Sequence, residues 1–467
     1  MSPNIKPYQQ DIITKTQELV DIASIEGEPD GAYPFGLGPA KALEYVLELG
    51  QSLGFKVKNV DHYAGHVELG VGDEILGILG HVDVVPVGEG WSSPPFKSEI
   101  RDDKIFGRGT LDDKGPIIAA LYAMKTVADL GIPLNKRIRL IVGTNEETGS
   151  KGIKHYLAKE EAPTFAFAPD ADFPVIHGEK GIIRVLVRKK MVKDLSETYG
   201  KFKIEGGTAI NMVPDSCFFE IENRSVDVEG IEKIEKLIRS MLETSDDYEY
   251  KYNDGKLRIK SFGKAAHAST PEHGENAISK LMLLLNKLEL NNMFLKDTTE
   301  FYTNCIGMNF NGEKLGIGLS DEVSGKLTCN LGLIRMDATQ VEMEMDIRYP
   351  LTKTYNEVVD PLVVYCENYG FEVKVKKHVD SIFIPKDNQN IQKLMHVYQD
   401  VTGDYETEPL VIGGGTYARE LNKAVAFGPL FPGVEDTAHQ KDEHISIDDL
   451  MKCSEIYAKA IIFLTNL

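Results

Sequence analysis

No stretch of the 467-residue sequence is apolar for long enough to span a bilayer, which takes roughly 20 residues. The first residues, MSPNIKPYQQDIITKTQELV, also lack the basic and then apolar pattern of a secretory signal. We therefore expect a protein of the cytoplasm with no membrane role.

Cysteine is scarce, and basic residues are fewer than acidic ones. The five cysteines are widely spaced and include no C-x-x-C pair, which indicates a reducing compartment and disfavours a thiolate metal site. They are Cys217, Cys305, Cys329, Cys366 and Cys453. The 52 basic residues are outnumbered by 72 acidic ones, giving a formal charge of -20. Because this surplus repels phosphate backbones and anionic lipid, we expect no nucleic-acid partner.

The chain is too long for one hydrophobic core, and its patterns divide it into three parts. Short apolar runs that predict buried strands lie at 74–85, 137–144, 164–170 and 424–428. Helical spacing is found at 38–54, after Pro116, near 388–401 and from Ile447 onward. The middle of the chain instead combines alternating strands at 217–222 and 341–349 with helical runs at 230–243 and 276–290. We predict an α/β domain formed by 1–181 and 381–467, interrupted by an inserted α+β domain at 182–380.

Polar clusters follow several of the predicted buried strands. They are HVDVVP (81–86), NEETGS (145–150), APDADFP (168–174) and HQKDEH (439–444), with GRGTLDDKG (107–115) in a Gly-rich turn before a helix. Ligand sites assemble at the carboxyl ends of strands in open α/β sheets. Taken singly, His81 could be a structural histidine and the paired acids could be loop charges or helix caps. Together, imidazole and carboxylate without cysteine match the ligands of Zn²⁺ or Mn²⁺.

In this order and spacing, these phrases resemble the aminoacylase/carboxypeptidase G family of di-metal peptidases. FAPDADFPVIHGEKG, GKAAHAS and HQKDE add to the resemblance, which covers essentially the whole chain and is closest to the dipeptidase V (Xaa-His dipeptidase, carnosinase-like) branch. The resemblance implies two divalent ions per chain, zinc first, with manganese or cobalt as alternatives. It assigns His81 and Asp170 to one ion, Glu147 and His439 to the other, and Asp112 to both. It also implies a cis peptide after Asp112, with Asp113 behind the ligands.

His444 is a rival to His439, although the family motif H-x-x-[DN]-E favours His439. Glu146 has no ligand role in this scheme, so we expect it to be the general base. We expect Asp83 to accept the second N–H of the His81 imidazole. The resemblance names His267 as the oxyanion donor, and a surface histidine is the alternative. The expected substrate contacts are Arg348, Asn211, Gly415 and Thr416, with an ordinary strand salt bridge as the alternative for Arg348.

Together, the motifs and the resemblance predict a metallo-dipeptidase of broad specificity that hydrolyses dipeptides, with β-alanyl dipeptides among the candidate substrates. The resemblance identifies the insert as a lid, and its strands after Asn211 and Cys329 suggest an internal duplication. A doubled lid would supply His267 within one chain, so we expect a monomer. The rivals are an N-acyl-amino-acid deacylase or carboxypeptidase on the same scaffold, and a metal-stabilised binding protein without catalysis. A phosphoesterase is disfavoured because only Arg108 and Lys114 could receive phosphate.

Overall fold

The chain forms two compact units. The computed structural model describes residues 3–191, 201–222, 236, 238–240, 246–253, 256–288, 292–421 and 423–465. The first unit comprises Met1–Gly178, Phe383–Leu410 and Gly415–Leu467, and the second comprises Glu179–Ile382 and Val411–Gly414. All of residues 182–380 fall in the second unit.

The first unit is built on a mixed β-sheet. Seven of its nine strands, in spatial order, are Lys56–Val60, Ala64–Leu69, Arg137–Gly143, Ile75–His81, Phe165–Ala168, Ala424–Ala426 and Ile176–Glu179. The four strands from Arg137–Gly143 to Ala424–Ala426 run parallel to one another. Every position of Ile75–His81 is buried, as expected for a strand covered on both faces. The parallel strands bring their carboxyl ends to one edge of the sheet.

Helices pack around this sheet. Their bounds are Gln9–Val20, Leu37–Ser52, Lys114–Asp129, Lys151–Leu157, Gln389–Thr402 and Ile447–Thr465. Lys114–Asp129 packs against the terminal helix Ile447–Thr465, and both contribute side chains to the main hydrophobic core of the unit. The packing of this helix fixes the position of its first residue, Lys114, in the unit. Asp112 and Asp113 come directly before that residue. Carboxylates at that position are favoured by the positive end of the helix dipole.

The first unit also contains two small sheets. Glu99–Arg101, Lys104–Phe106 and His444–Ser446 form three antiparallel strands, and Ala171–Asp172 pairs in parallel with Pro429–Leu430. The pairing of His444–Ser446 with Lys104–Phe106 brings the HQKDEH segment beside the GRGTLDDKG segment. None of the sequence patterns predicted these short strands.

The second unit is an antiparallel eight-stranded sheet with its own hydrophobic core. In spatial order its strands are Tyr248–Asn253, Lys256–Phe262, Ser216–Glu222, Phe202–Gly206, Thr328–Asp337, Gln340–Tyr349, Gly181–Lys190 and Glu372–Val379. Its described helices of more than one turn are Ala277–Lys287, Met293–Cys305 and Tyr355–Asn368. The predicted helix at 230–243 lies largely outside the described residues.

The mixed α/β class predicted from the sequence is confirmed. Among the described residues, no helix has both the length and the apolarity that a bilayer crossing requires.

Candidate metal centre

His81 ends the buried strand Ile75–His81 and is itself fully buried. Its Nδ1 lies 2.9 Å from the main-chain oxygen of Asp83. Because a carbonyl oxygen only accepts, this contact places the ring proton on Nδ1 and leaves Nε2 as the ligating nitrogen. Nε2 lies 2.9 Å from Asp112 Oδ1 and 3.7 Å from Asp170 Oδ1. The first cluster therefore consists of one imidazole and two carboxylates.

His439 forms a second cluster around the other oxygen of Asp112. Its Nε2 lies 2.9 Å from Asp112 Oδ2 and 3.1 Å from Glu147 Oε2. The His439 backbone has a φ of 62°, in the left-handed region that non-glycine residues seldom occupy. The Asp112 carboxylate thus lies between two imidazoles and contacts each with a different oxygen.

The donor set of these clusters fits divalent cations. Ligand atoms of His81, Asp112 and Glu147 all lie within 4.8 Å of one another, and carboxylate and imidazole suit Zn²⁺ or Mn²⁺. Hydrogen bonds to Asp112 and Glu147 raise the pKa of His439 to about 11. The carboxylates therefore create a potential strong enough to retain positive charge at this point.

His444, the rival to His439, lies elsewhere. Its Nε2 is 3.0 Å from Lys104 Nζ, and its Nδ1 is 2.9 Å from the main-chain oxygen of Asp442. The structure brings His439, and not His444, together with Asp112 and Glu147. In the sequence, only the family motif favoured His439 over His444.

Asp83 has a different contact from the one predicted. The carboxylate was expected to accept the His81 ring N–H, but it lies 3.6 Å from Nδ1, and the Asp83 main-chain oxygen accepts that proton instead. Its carboxylate accepts the backbone N–H of Glu146 at 3.0 Å and of Glu147 at 3.1 Å. Each carboxylate oxygen thus accepts one N–H, so Asp83 fixes the main chain that carries the two glutamates.

Glu146 lies next to the clusters and has a strongly perturbed carboxyl group. Burial raises its pKa well above the ordinary value. The charge of His81 opposes this rise, whereas Asp170 and Glu147 add to it. A carboxylate with a raised pKa is a better proton acceptor near neutral pH, and this property matches the general-base role predicted for Glu146.

The peptide bond between Asp112 and Asp113 is cis, as the resemblance implied. Asp113 is buried, and its Oδ2 accepts the backbone N–H of His81 at 3.2 Å. A Cβ at Gly80 would overlap this oxygen, so the close approach requires glycine. Asp113 therefore holds the main chain of His81 by a hydrogen bond, as expected of a residue that lies behind the ligands.

Arg348 and His267 lie in the second unit. Arg348 is buried. Its Nε and Nη2 donate to Asp346, and its Nη1 donates to the main-chain oxygen of Gly413. This is the strand salt bridge that was the alternative reading, although two of the five guanidinium N–H groups are not used in these bonds. Desolvation and the charge of Arg348 lower the pKa of His267, whose Nδ1 lies 2.6 Å from Ser269 Oγ.

The other predicted substrate contacts have local structural roles. The main-chain oxygen of Asn211 accepts the N–H of Ala268 at 2.9 Å. The Thr416 hydroxyl caps the short helix Tyr417–Glu420 by accepting the N–H of Ala418 at 3.3 Å. Gly415 precedes this cap, and a Cβ there would lie 3.0 Å from Arg419 Nε. Their roles toward substrate stay predictions.

Tyr417 is a site residue that the sequence reasoning missed. It is fully buried, and its ring packs edge-on against His81 with centroids 5.9 Å apart. Its hydroxyl has no hydrogen-bond partner among the described residues. A Cβ on Gly143 would overlap that hydroxyl. The only signal in the sequence was an aromatic residue directly after Gly415 and Thr416, the predicted substrate contacts.

Gly143→Ala is therefore expected to destabilise the protein by about 1–3 kcal/mol, the usual cost of overpacking a core. Urea denaturation would measure the free energy of unfolding. Tyr417→Phe removes the overlapping oxygen, so the double variant should recover part of the loss. Strictly additive effects of the two substitutions would contradict this contact.

Comparison with known proteins shows the family of the chain. The model of "Peptidase family M20/M25/M40" matches residues 77–462. The chain is 41% identical over 458 residues to a protein of Bacillus subtilis (strain 168) named "Putative dipeptidase YtjP", covering 97% of each.

Two solved structures share the fold. Human carnosine dipeptidase 1 superposes with a TM-score of 0.58 at 16% identity, covering 99% of this chain and 98% of that one. The aminoacylhistidine dipeptidase of Vibrio alginolyticus gives 0.57 at 15% identity, with coverage of 97% and 96%. The predicted resemblance to this class of peptidases and the prediction of an enzyme are confirmed. The chain is a hydrolase that belongs to peptidase family M20/M25/M40.

Proposed function

We propose that the protein is a metallo-dipeptidase whose centre is formed by His81, Asp112, Glu147, Asp170 and His439. One observation carries the proposal: the two oxygens of Asp112 each contact a different imidazole at 2.9 Å. A carboxylate shared in this way is suited to bridge two cations. The Bacillus subtilis relative, named as a dipeptidase, supports the choice of substrate.

His81 and Asp170 would hold one cation, Glu147 and His439 would hold the other, and Asp112 would contribute a ligand oxygen to each. Bound divalent ions would supply Lewis-acid polarisation of a carbonyl and a lowered pKa for water. Zinc is the first expectation, and manganese or cobalt use similar ligands. The His81 ring is already oriented by its Nδ1 contact, and Asp83 fixes the segment that carries Glu147.

Glu146 acts as the general base. Its backbone is held by Asp83 at 3.0 Å, and its raised pKa suits it to take a proton from the attacking water. The same carboxyl group then gives the proton to the leaving amine nitrogen, so no free proton is created or lost. The roles of His267 as oxyanion donor and of residues 182–380 as a lid within a monomeric chain stay proposals carried over from the sequence.

A substrate panel tests the proposal. The metal-stripped protein would be assayed on α-dipeptides, a β-alanyl dipeptide, tripeptides and N-acyl amino acids, with Zn²⁺, Mn²⁺ or Co²⁺ added back singly. We expect cation-dependent hydrolysis that is fastest for dipeptides. Faster turnover of N-acyl amino acids would contradict the dipeptidase assignment and favour a deacylase on the same scaffold.

A further inference from the structure

Glu443 is a fully buried carboxylate outside the ligand set, at the end of the HQKDE phrase. Its side chain reaches the loop that carries Asp112. The carboxylate accepts the backbone N–H of Gly109 at 3.0 Å, of Leu111 at 3.0 Å and of Asp112 at 3.2 Å. It thus gathers three main-chain donors from one short segment.

Arg108 completes the contact. Its Nη1 donates to Glu443 Oε2 at 2.7 Å and to the main-chain oxygen of Gln440 at 3.2 Å. The main-chain oxygen of Glu443 also accepts the N–H of Gly107 at 2.9 Å. Segments 107–112 and 440–443 are therefore joined by two side chains and one backbone hydrogen bond.

These two segments carry groups that must meet. Asp112 is the last residue of the first segment, and His439 comes directly before the second. Their side chains lie 2.9 Å apart although they are distant in sequence. Gly107 and Gly109 leave the backbone of this segment conformationally free, so an external acceptor for its N–H groups helps to determine where Asp112 lies.

A carboxylate is the group that this position requires. It offers two oxygens and no donor, so it can accept three N–H groups and a guanidinium at once. Its charge is compensated by Arg108, as a buried ion must be. An amide in its place would present N–H to at least one of these donors.

We propose that Glu443 is a positioning residue of the metal centre, one that sets the separation of Asp112 and His439 without touching a cation. The inference rests on the proposed function, because it assumes that Asp112 and His439 bind the cations. It predicts that loss of Glu443 weakens cation binding more than loss of another anchor of the 440–443 segment.

The test is a Co²⁺ titration of the metal-stripped protein, followed by visible absorption without substrate. Glu443→Gln keeps the side-chain size, and we expect its Co²⁺ affinity to fall by about 10- to 100-fold, with altered absorption bands. Because loss of one partner from a buried ion pair can unfold a protein, Glu443→Asp is the second variant. It keeps the charge opposite Arg108 but is one methylene too short to accept all three N–H groups.

Two matched controls distinguish the positioning of Asp112 by Glu443 from a general loss of structure around the 440–443 segment. The Asp442 carboxylate anchors the 440–443 segment by accepting from the N–H and hydroxyl of Ser92, both at 2.8 Å. Glu435 is exposed. Asp442→Asn and Glu435→Gln are expected to bind Co²⁺ within about twofold of the unaltered chain, since neither contacts the Asp112 segment.

Unchanged Co²⁺ affinity in folded Glu443→Asp or Glu443→Gln would overturn the inference while leaving the proposed function intact. An equal loss in Asp442→Asn would overturn it as well, because loop anchoring in general would then explain the effect. If the unaltered chain bound no Co²⁺, the metal centre of the proposed function would fail, and this inference with it.

Discussion

Glu146→Gln is expected to lower kcat by about 10²- to 10⁴-fold, the usual contribution of a general base. The amide is nearly isosteric with the carboxyl group but cannot take a proton from water. The backbone N–H of Glu146 would still donate to Asp83, so the loop should keep its course. The number of cations bound per chain should therefore stay unchanged. Steady-state kinetics and elemental analysis of the same sample measure both quantities.

The adjacent glutamate provides the contrast. Glu147 lies 3.1 Å from His439 Nε2, so Glu147→Gln should reduce cation binding as well as turnover. The two variants carry the same chemical change at adjacent positions of the chain. A Glu146→Gln variant with full turnover, or with the cation loss expected of Glu147→Gln, would refute the role assigned to Glu146.

Asp112→Asn is expected to abolish the paired centre. The amide has one oxygen, so it cannot contact the imidazoles of His81 and His439 as the carboxylate does. Fewer than two cations should bind per chain. Cation catalysis contributes several kcal/mol to transition-state stabilisation, and 1.36 kcal/mol is a factor of ten. The expected loss of kcat/KM is about 10³-fold or more.

Asp448→Asn is the matched control for this substitution. Asp448 has an exposed side chain at the start of the terminal helix, where it forms an ion pair with Lys452. Its replacement should leave cation stoichiometry unchanged. Retention of two cations and full turnover by Asp112→Asn would show that this carboxylate is not shared between them.

The parts of the fold that depend on local pattern could be predicted from the sequence. The continuous apolar runs at 74–85 and 137–144 became the buried strands Ile75–His81 and Arg137–Gly143. The helix Tyr355–Asn368 was not predicted, although Thr354 and Glu357 form a capping box at its start. A capping box is a short local signal of two residues, and here it lies in a segment with strands on both sides, Gln340–Tyr349 and Glu372–Val379.

Of the candidate site, the sequence could predict the metal ligands but not the contacts that hold them in place. Strand ends place His81 and Asp170 near each other, and the family motifs name Asp112, Glu147 and His439. The supporting contacts were hidden because their partners are backbone N–H groups or ring faces far away in sequence. Glu443 and Tyr417 show this, since neither residue type signals which main chain or ring it will meet.

The central claim is that these ligands hold a pair of cations on which hydrolysis depends. Dialysis of the metal-stripped chain against increasing Zn²⁺, with bound metal and dipeptide hydrolysis measured on each sample, tests it most directly. Turnover should rise with occupancy, and bound metal should reach two ions per chain. Full hydrolysis by the metal-free chain would contradict the account. So would turnover that reaches its maximum before any ion is bound.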